Sequence, residues 1–448
     1  MLSCSPHSAK KSIRESKMWW RRLGFNRNPY FGDELDVSEF SNELFVGRKT
    51  EARSLLIDIA EDSRALVCIG GISGSGKTSF INHCQYLVCA REKYEDFVLP
   101  DIVPCITKIQ LHDNEDFTVV LLKILSSLIA SHLAHCSTKG ISPPPSIMQM
   151  RDAIDNTVSN GGGWGGGASA FGFGINVNRD KSSVVNDSPL TRETSLLKMI
   201  KEIIERTVTE HRYDGAGVVI NNIETLSEKY LLDFVNYARD SIFNLPGMWW
   251  YLSGPKNLGK IIEGKAPRLR GFLSGQGVDI EPLEIGKVIE LLELRRQRYA
   301  LHQGARLPIG ERVVELLYKS SAGDLRFLFN ICANIVRLVV KEMPSVQLNE
   351  DISIKAVALL TRRNLSHYLE AQTTSTIVRL WLAKKFERIS ASDFRDFGYD
   401  DDDSFGEALT DLANQQLLWR DLETPGKSYF TPRGYLQLGI LSNIGNVL

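Results

Sequence analysis

Residues 71–78 read Gly-Ile-Ser-Gly-Ser-Gly-Lys-Thr, a full match to the spacing G-x-x-x-x-G-K-[ST]. The chemistry that suits this spacing is phosphate binding. Gly71, Gly74 and Gly76 carry no side chain, so backbone N–H groups, including that of Ser75, can close around phosphate oxygens. Lys77 would reach the β- and γ-phosphates, and the Thr78 hydroxyl would hold Mg²⁺. The flanks have the required form. Ala65-Leu66-Val67-Cys68-Ile69 is an apolar run that predicts a buried strand, and Thr78-Ser79-Phe80-Ile81 opens a helix. A helix N-terminus placed against the loop adds partial positive charge. The expected ligand is a nucleoside triphosphate, ATP with Mg²⁺.

Turnover of that ligand asks for carboxylates on a neighbouring strand, to hold the metal shell and to deprotonate water. The strand end that presents itself is Val218-Val219-Ile220-Asn221-Asn222-Ile223-Glu224. Asn221 and Asn222 stand where acids are expected. An amide can orient a metal-bound water but carries no charge and accepts no proton. Losing the base slows a reaction by about 10²–10⁴-fold. Asn221 is therefore expected beside the metal with Thr78, Asn222 beside the water, and Glu224 as a substitute base whose direction the sequence leaves open. Ser253, closing the run Trp249-Trp250-Tyr251-Leu252, is placed to bond the γ-phosphate or the attacking water, or is an ordinary strand-end serine. Arg268 and Arg270 lie on the loop Pro267-Arg-Leu-Arg-Gly271, either as arginines offered across a subunit interface or as a solvated basic loop. Gly323-Asp324-Leu325-Arg326 falls in a helical region, from which Arg326 could fold back onto the γ-phosphate.

The elements that must position these residues alternate. Strands are expected at 65–69, 102–109, 217–220, 248–252 and 278–280, with helices at 117–134, 190–208 and 226–243, which predicts an α/β fold with a parallel sheet. From Gly286 to about residue 370 the pattern is helical. The last segment reads as short helices (373–387, 391–397, 405–416) and a hairpin, 417–421 with 428–431, which is winged-helix punctuation. The expected division is a basic tail at 1–28, a phosphate-loop core at 29–285 with a glycine-rich insertion at 158–186, a helical lid at 286–365 and a winged helix at 366–448. The tail is read as disordered in preference to a phosphate-contacting arm. The insertion, with Trp164 between two runs of three glycines, reads equally as a mobile tip or a plain linker.

Bulk properties narrow the class. In 448 residues, 43% apolar with a net charge of −1, no global field recruits nucleic acid or membrane. The seven scattered cysteines fit reduced thiols in a cytoplasmic protein. No stretch reads as apolar over the roughly 18 residues of a membrane span, and the N-terminus lacks an apolar signal region. His132, His135 and Cys136, and separately His83-Cys84, read as helix packing in preference to zinc ligands.

Over residues 29–440 these motifs together resemble the AAA+ ATPases, in particular the origin-recognition and replication-initiator ATPases and the STAND-type signalling ATPases of bacteria. The resemblance implies that Phe45-Val46-Gly47-Arg48 is the linker that touches the adenine, with Phe45 and Val46 as its contacts. It further implies that residues 71–78 are the Walker A loop, 218–224 the Walker B strand, Ser253 sensor 1 and Arg326 sensor 2 of the lid. It implies ATPase activity, which Asn221 and Asn222 weaken, and assembly as a homo-oligomer. The winged helix carries 8 basic against 12 acidic side chains, with the run at 400–403 just before its third helix. Phosphate neutralisation carries much of DNA affinity, so a protein partner is expected before DNA. The expected function is an ATP-operated switch with weak hydrolysis, by analogy in bacterial antiviral defence or signalling. The alternative is a DNA-acting ATPase of initiator, loader or transposition-regulator type.

Overall fold

The protein is described by a computed structural model covering residues 19–61, 64–91, 98–160, 193–275, 277–342, 348–370, 374–421 and 428–442. The glycine-rich segment at 161–186, the tip of the C-terminal hairpin and residues 1–18 lie outside the described residues.

Three runs are buried almost end to end: β1 (Ala65–Gly71), β4 (Gly215–Asn221) and β5 (Met248–Ser253). Continuous burial is the mark of strands covered on both faces, the parallel arrangement. They form a six-stranded sheet in the order β2-β4-β5-β1-β6, with β3 also pairing β4, and every pairing is parallel. Here β2 is Ile102–Val103, β3 Ile109–Gln110 and β6 Val278–Ile280. The period of two along each strand divides the core between two faces. Leu66, Cys68, Val218, Ile220, Trp250 and Leu252 face one cluster, with helices Phe117–Lys139, Glu193–Thr209 and Glu228–Ser241. Ala65, Val67, Ile69, Val219, Trp249 and Tyr251 face the other, with helices Lys49–Glu61 and Lys77–Cys89.

Three expectations are corrected. The strand expected over 102–109 is two short strands, because residues 104–108 leave the ladder and bond to side chains instead. Gln85 accepts from the Cys105 N–H at 2.6 Å, Ser131 accepts from the Ile106 N–H at 3.0 Å, and the Ser127 hydroxyl donates to the Thr107 carbonyl. Helix Phe117–Lys139 is, by length and hydropathy, apolar enough to cross a membrane, contrary to the sequence reading. Its serines and histidines interrupt the run without lowering the average enough, and most of it is buried against β4 and helix Glu193–Thr209. Residues 19–28, read as part of a basic tail, are folded: Trp20 and Phe25 are buried, and Phe25 bridges Ala300.

The chain divides into two compact units, residues 34–281 and residues 1–33 with 282–448. The second unit holds the expected lid helices, Ile285–Tyr299, Glu311–Ser321, Leu325–Glu342 and Glu350–Glu370, together with the winged helix. The latter comprises helices Ser375–Lys384, Asp402–Asn414 and Gly434–Leu441 and a small antiparallel sheet, β7 (Ile389–Ser390), β9 (Tyr429–Pro432) and β8 (Leu418–Asp421). The helix expected at 391–397 is present as a 3₁₀ helix, Ala391–Phe397. Within this unit Arg295 is buried between the rings of Phe31 and Phe329, 4.0 and 4.2 Å from their centroids, and donates to the Phe31 carbonyl at 2.7 Å. That contact fastens the N-terminal segment to the lid helices.

Candidate nucleotide-binding site

The strands of the first unit end in register. Ile69 pairs Ser253, Ile220 pairs Leu252 and Gln110 pairs Asn221, so Gly71, Ser253 and Asn221 all lie at the carboxyl edge of the sheet. This is the edge where open α/β sheets bind ligands. β1 runs into the loop at Gly71 (φ +148°), and helix Lys77–Cys89 begins after Gly76 (φ +90°). A Cβ at Gly71 would stand 2.7 Å from the Ile280 carbonyl oxygen and 3.0 Å from Ser75 Oγ. A Cβ at Gly76 would stand 3.3 Å from Arg48 Nη1. Gly71 is thus required for conformation and for space, and Gly76 for conformation.

Lys77 is 7% exposed, and its ammonium donates to the carbonyls of Gly71 at 2.8 Å and Ile72 at 3.2 Å. It also pairs with Glu224 Oε1 at 3.4 Å. Glu224 reaches it because Asn222 turns left-handed (φ +58°) and starts a short 3₁₀ turn, Ile223–Thr225. The carbonyl of Asn222 accepts from the N–H and hydroxyl of Thr225. The side chain of Asn222 is exposed, so the backbone of this residue does the positioning and Glu224 supplies the carboxylate beside Lys77.

Asn221 Nδ2 donates to Thr78 Oγ1 at 3.4 Å. Asn221 Oδ1 and Ser75 Oγ are buried atoms with no hydrogen-bond partner among the described residues. Buried polar atoms are normally bonded, and two such atoms around a glycine cradle fit a phosphate and its hydrated cation. Thr78 Oγ1 and Asn221 Oδ1 are hard, neutral oxygen ligands of the kind Mg²⁺ takes while keeping most of its waters. When bound, Mg²⁺ would supply charge against the phosphates. Neither protein ligand adds a negative charge.

Phe45 is half-buried and stacks on His83 at 4.0 Å and 11°, and Val46 is buried. Rings this close admit nothing between them, so an adenine stacking on Phe45 would use its other face. Burial lowers the His83 pKa from 6.5 to about 4, and it does the same for His132 and His135. The last two are committed to hydrogen bonds, His132 to Thr207 Oγ1 at 2.6 Å and His135 to the Tyr213 hydroxyl at 3.0 Å. An imidazole with a depressed folded pKa contributes stability that is complete above 6.5 and lost as pH falls toward 4. The melting temperature without nucleotide is therefore expected to fall steadily from pH 6.5 to 4.5. Through these three groups the unfolded chain takes up as many as three more protons than the folded one. A melting temperature that stays flat over that interval contradicts the assignment.

Ser253 is buried at the end of β5, where the sequence placed it. Arg268 and Arg270 are exposed, and Arg270 is paired with Glu263. They precede Leu273, which bridges Leu66 near the amino end of β1. Neither arginine has a contact with residues 71–78 among the described interactions. Arg326 belongs to the second unit, in the first turn of helix Leu325–Glu342, with its stem near Gly32. The sequence reading gave no role in the phosphate loop to Arg48, whose Nη2 donates to the Ser75 carbonyl at 2.5 Å. It missed Ser79 and Asn82 as well. The Leu35 N–H donates to Ser79 Oγ at 3.1 Å, and Asn82 donates to the Leu35 carbonyl at 2.6 Å. The signal for Arg48 was the Gly-Arg pair already singled out beside Phe45.

The sequence matches no protein-family model and none of the curated proteins. Among solved structures it is similar to the ORC2 protein of Aeropyrum pernix, solved as ADPNP-ADP complexes, at 13% identity and a TM-score of 0.48, over 94% of this chain and 98% of that one. It is also similar to a Walker-type ATPase of Pyrococcus abyssi at 11% identity and a TM-score of 0.45, over 92% and 99% of the two chains. A third is Cdc6p of Pyrobaculum aerophilum, at 12% identity and a TM-score of 0.40, over 90% and 97%.

Proposed function

We propose that this chain, which has the AAA+ P-loop ATPase fold, is an ATP-operated switch with weak hydrolysis. Its nucleotide state sets assembly or engagement of a protein partner. The observation that carries the reading is the loop itself. Two glycines at positive φ, a nearly buried lysine, and two buried, unpartnered oxygens converge at the carboxyl edge of a parallel sheet. A switch needs a difference in affinity between states and not rapid turnover, which suits amides at the positions of Asn221 and Asn222.

Glu224 is the carboxylate beside Lys77 and is assigned the task of orienting and deprotonating water. Purified protein is expected to turn over ATP more slowly than about once per second, at the bottom of the range for enzymes. Glu224→Gln should lower that rate about 10²–10⁴-fold, with ATP affinity retained. Phosphate release measured beside ATP binding checks this, and unchanged turnover in the variant contradicts it. Arg326 is the proposed reader of the terminal phosphate.

A protein partner for the wing is favoured by what its acidic run does. Asp401 caps helix Asp402–Asn414 by accepting from the Ser404 N–H at 2.7 Å, and Asp402 and Asp403 occupy its first turn. These carboxylates complement the helix dipole, and they give the start of this helix an anionic surface that repels a phosphate backbone.

A further inference from the structure

Arg48 occupies an unusual place in the first unit. It is a non-glycine residue in the left-handed region (φ +59°), directly after Gly47 (φ +74°), and its carbonyl starts helix Lys49–Glu61 by accepting from the Ala52 N–H. A non-glycine residue held there carries backbone strain, which persists where the surroundings enforce it and tends to mark function. The strained turn aims the guanidinium into the phosphate loop. Arg48 Nη2 donates to the Ser75 carbonyl at 2.5 Å and to the Glu281 carbonyl at 3.2 Å.

The first contact sets the direction of an amide. In a planar trans peptide the C=O and the following N–H point opposite ways. A Ser75 carbonyl held by Arg48 therefore turns the Gly76 N–H away from the guanidinium, free to meet a phosphate oxygen. The second contact reaches the border of the unit, since Glu281 is its last residue and Pro282 opens the other. The other border crossing is held by a different element, helix Lys77–Cys89. Leu35, just past Asp33, is bonded through both its N–H and its C=O to Ser79 and Asn82 of the helix that follows the loop.

We propose that Arg48 is a positioning residue: it holds the phosphate loop with the Gly76 N–H free to meet phosphate and ties that form to the crossing at Glu281–Pro282. This inference rests on the reading of the loop as a triphosphate site. Bound phosphate fixes the Gly76 amide, which fixes the Ser75 carbonyl and through Arg48 the Glu281 carbonyl. Nucleotide occupancy is thereby felt where the chain leaves the unit.

The test uses the full chain as wild type, Arg48→Met and Arg48→Lys. It measures affinity for ATP·Mg²⁺ and for inorganic tripolyphosphate, with amide hydrogen exchange at residues 281–285 with and without ATP. In Arg48→Met both affinities are expected to fall by the same factor, about 10-fold or more from loss of a charge-assisted hydrogen bond. The ATP-dependent protection at 281–285 should vanish. Arg48→Lys, which keeps a shorter cationic donor, should recover part of the affinity. A purely structural arginine would lower stability without a matched loss for ATP and tripolyphosphate. Wild-type affinity in Arg48→Met overturns the proposal, as does a loss for ATP with none for tripolyphosphate, which would place Arg48 at the base. If Arg48→Met does not fold, Arg48→Lys decides, and full affinity with full protection overturns the proposal. Failure of the wild type to bind either ligand refutes the triphosphate reading itself.

Discussion

Lys77→Ala is expected to lose ATP affinity by at least about 100-fold, the scale set by removing a charged donor with several hydrogen bonds. The reason lies in where the ammonium is held. It is nearly buried at the mouth of the loop, on the carbonyls of Gly71 and Ile72 and beside Glu224. A triphosphate entering the cradle brings negative charge to the one place in the loop that presents a fixed cation of low exposure. The alanine variant keeps the glycine backbone and the helix N-terminus, so residual binding measures what those two supply without the side chain. Its melting temperature without nucleotide should fall only modestly, which separates loss of the site from loss of the fold. Titration of both proteins with ATP and Mg²⁺ checks it. Equal affinity would show that the loop is not the phosphate site.

Asp324→Ala is expected to cost the second unit about 3–5 kcal/mol, because it leaves a buried cation without its partner. Asp324 Oδ2 accepts from Arg433 Nη2 at 3.0 Å, with the two side chains only 10% and 6% exposed. Asp324 Oδ1 also accepts from the Phe327 N–H at 2.9 Å, capping helix Leu325–Glu342, and such a cap is worth about 1 kcal/mol. Burial already lowers the pKa of Arg433, and Asp324 opposes that shift, so removing the acid exposes the full desolvation of the guanidinium. Asp324→Asn, which can keep the cap, should cost clearly less. Chemical denaturation of the three proteins checks both values, and a loss below about 1 kcal/mol for the alanine contradicts the account. The pair joins the turn that precedes Arg326 to Arg433, which opens helix Gly434–Leu441 of the wing. Phe327 and Tyr435 pack edge to face beside it at 5.4 Å. This pair ties helix Leu325–Glu342 to the start of helix Gly434–Leu441 within the second unit.

The parallel sheet and its loop were legible because both signals are local. An apolar run, glycines at fixed spacing and a lysine need no distant contact to be read, and Ala65–Gly71 and Lys77 fall as the pattern requires. The strand end at Asn221 was legible for the same reason, and the direction of Glu224 was not. It depends on the left-handed turn at Asn222, a conformation that asparagine tolerates but does not announce. Arg48 was hidden because the carbonyls it reaches are distant in sequence, one 27 residues away and one 233 residues away. Backbone acceptors leave no trace in side-chain types. The break in the strand at 104–108 escaped for a related reason, since the bonds that replace the ladder come from Gln85, Ser127 and Ser131 on distant helices. Helix Phe117–Lys139 was under-read because its polar residues are spaced among apolar ones, where His132 finds Thr207 and His135 finds Tyr213 inside the core.

The central claim is that residues 71–78 hold a nucleoside triphosphate with its cation. Calorimetric titration of the full chain with ATP in the presence of Mg²⁺ tests it most directly, read together with the shift in melting temperature. The account predicts saturable binding at one nucleotide per chain and a stabilisation that reaches about 2.7 kcal/mol at ligand concentrations 100-fold above the dissociation constant. No heat and no thermal shift at millimolar ATP would contradict it.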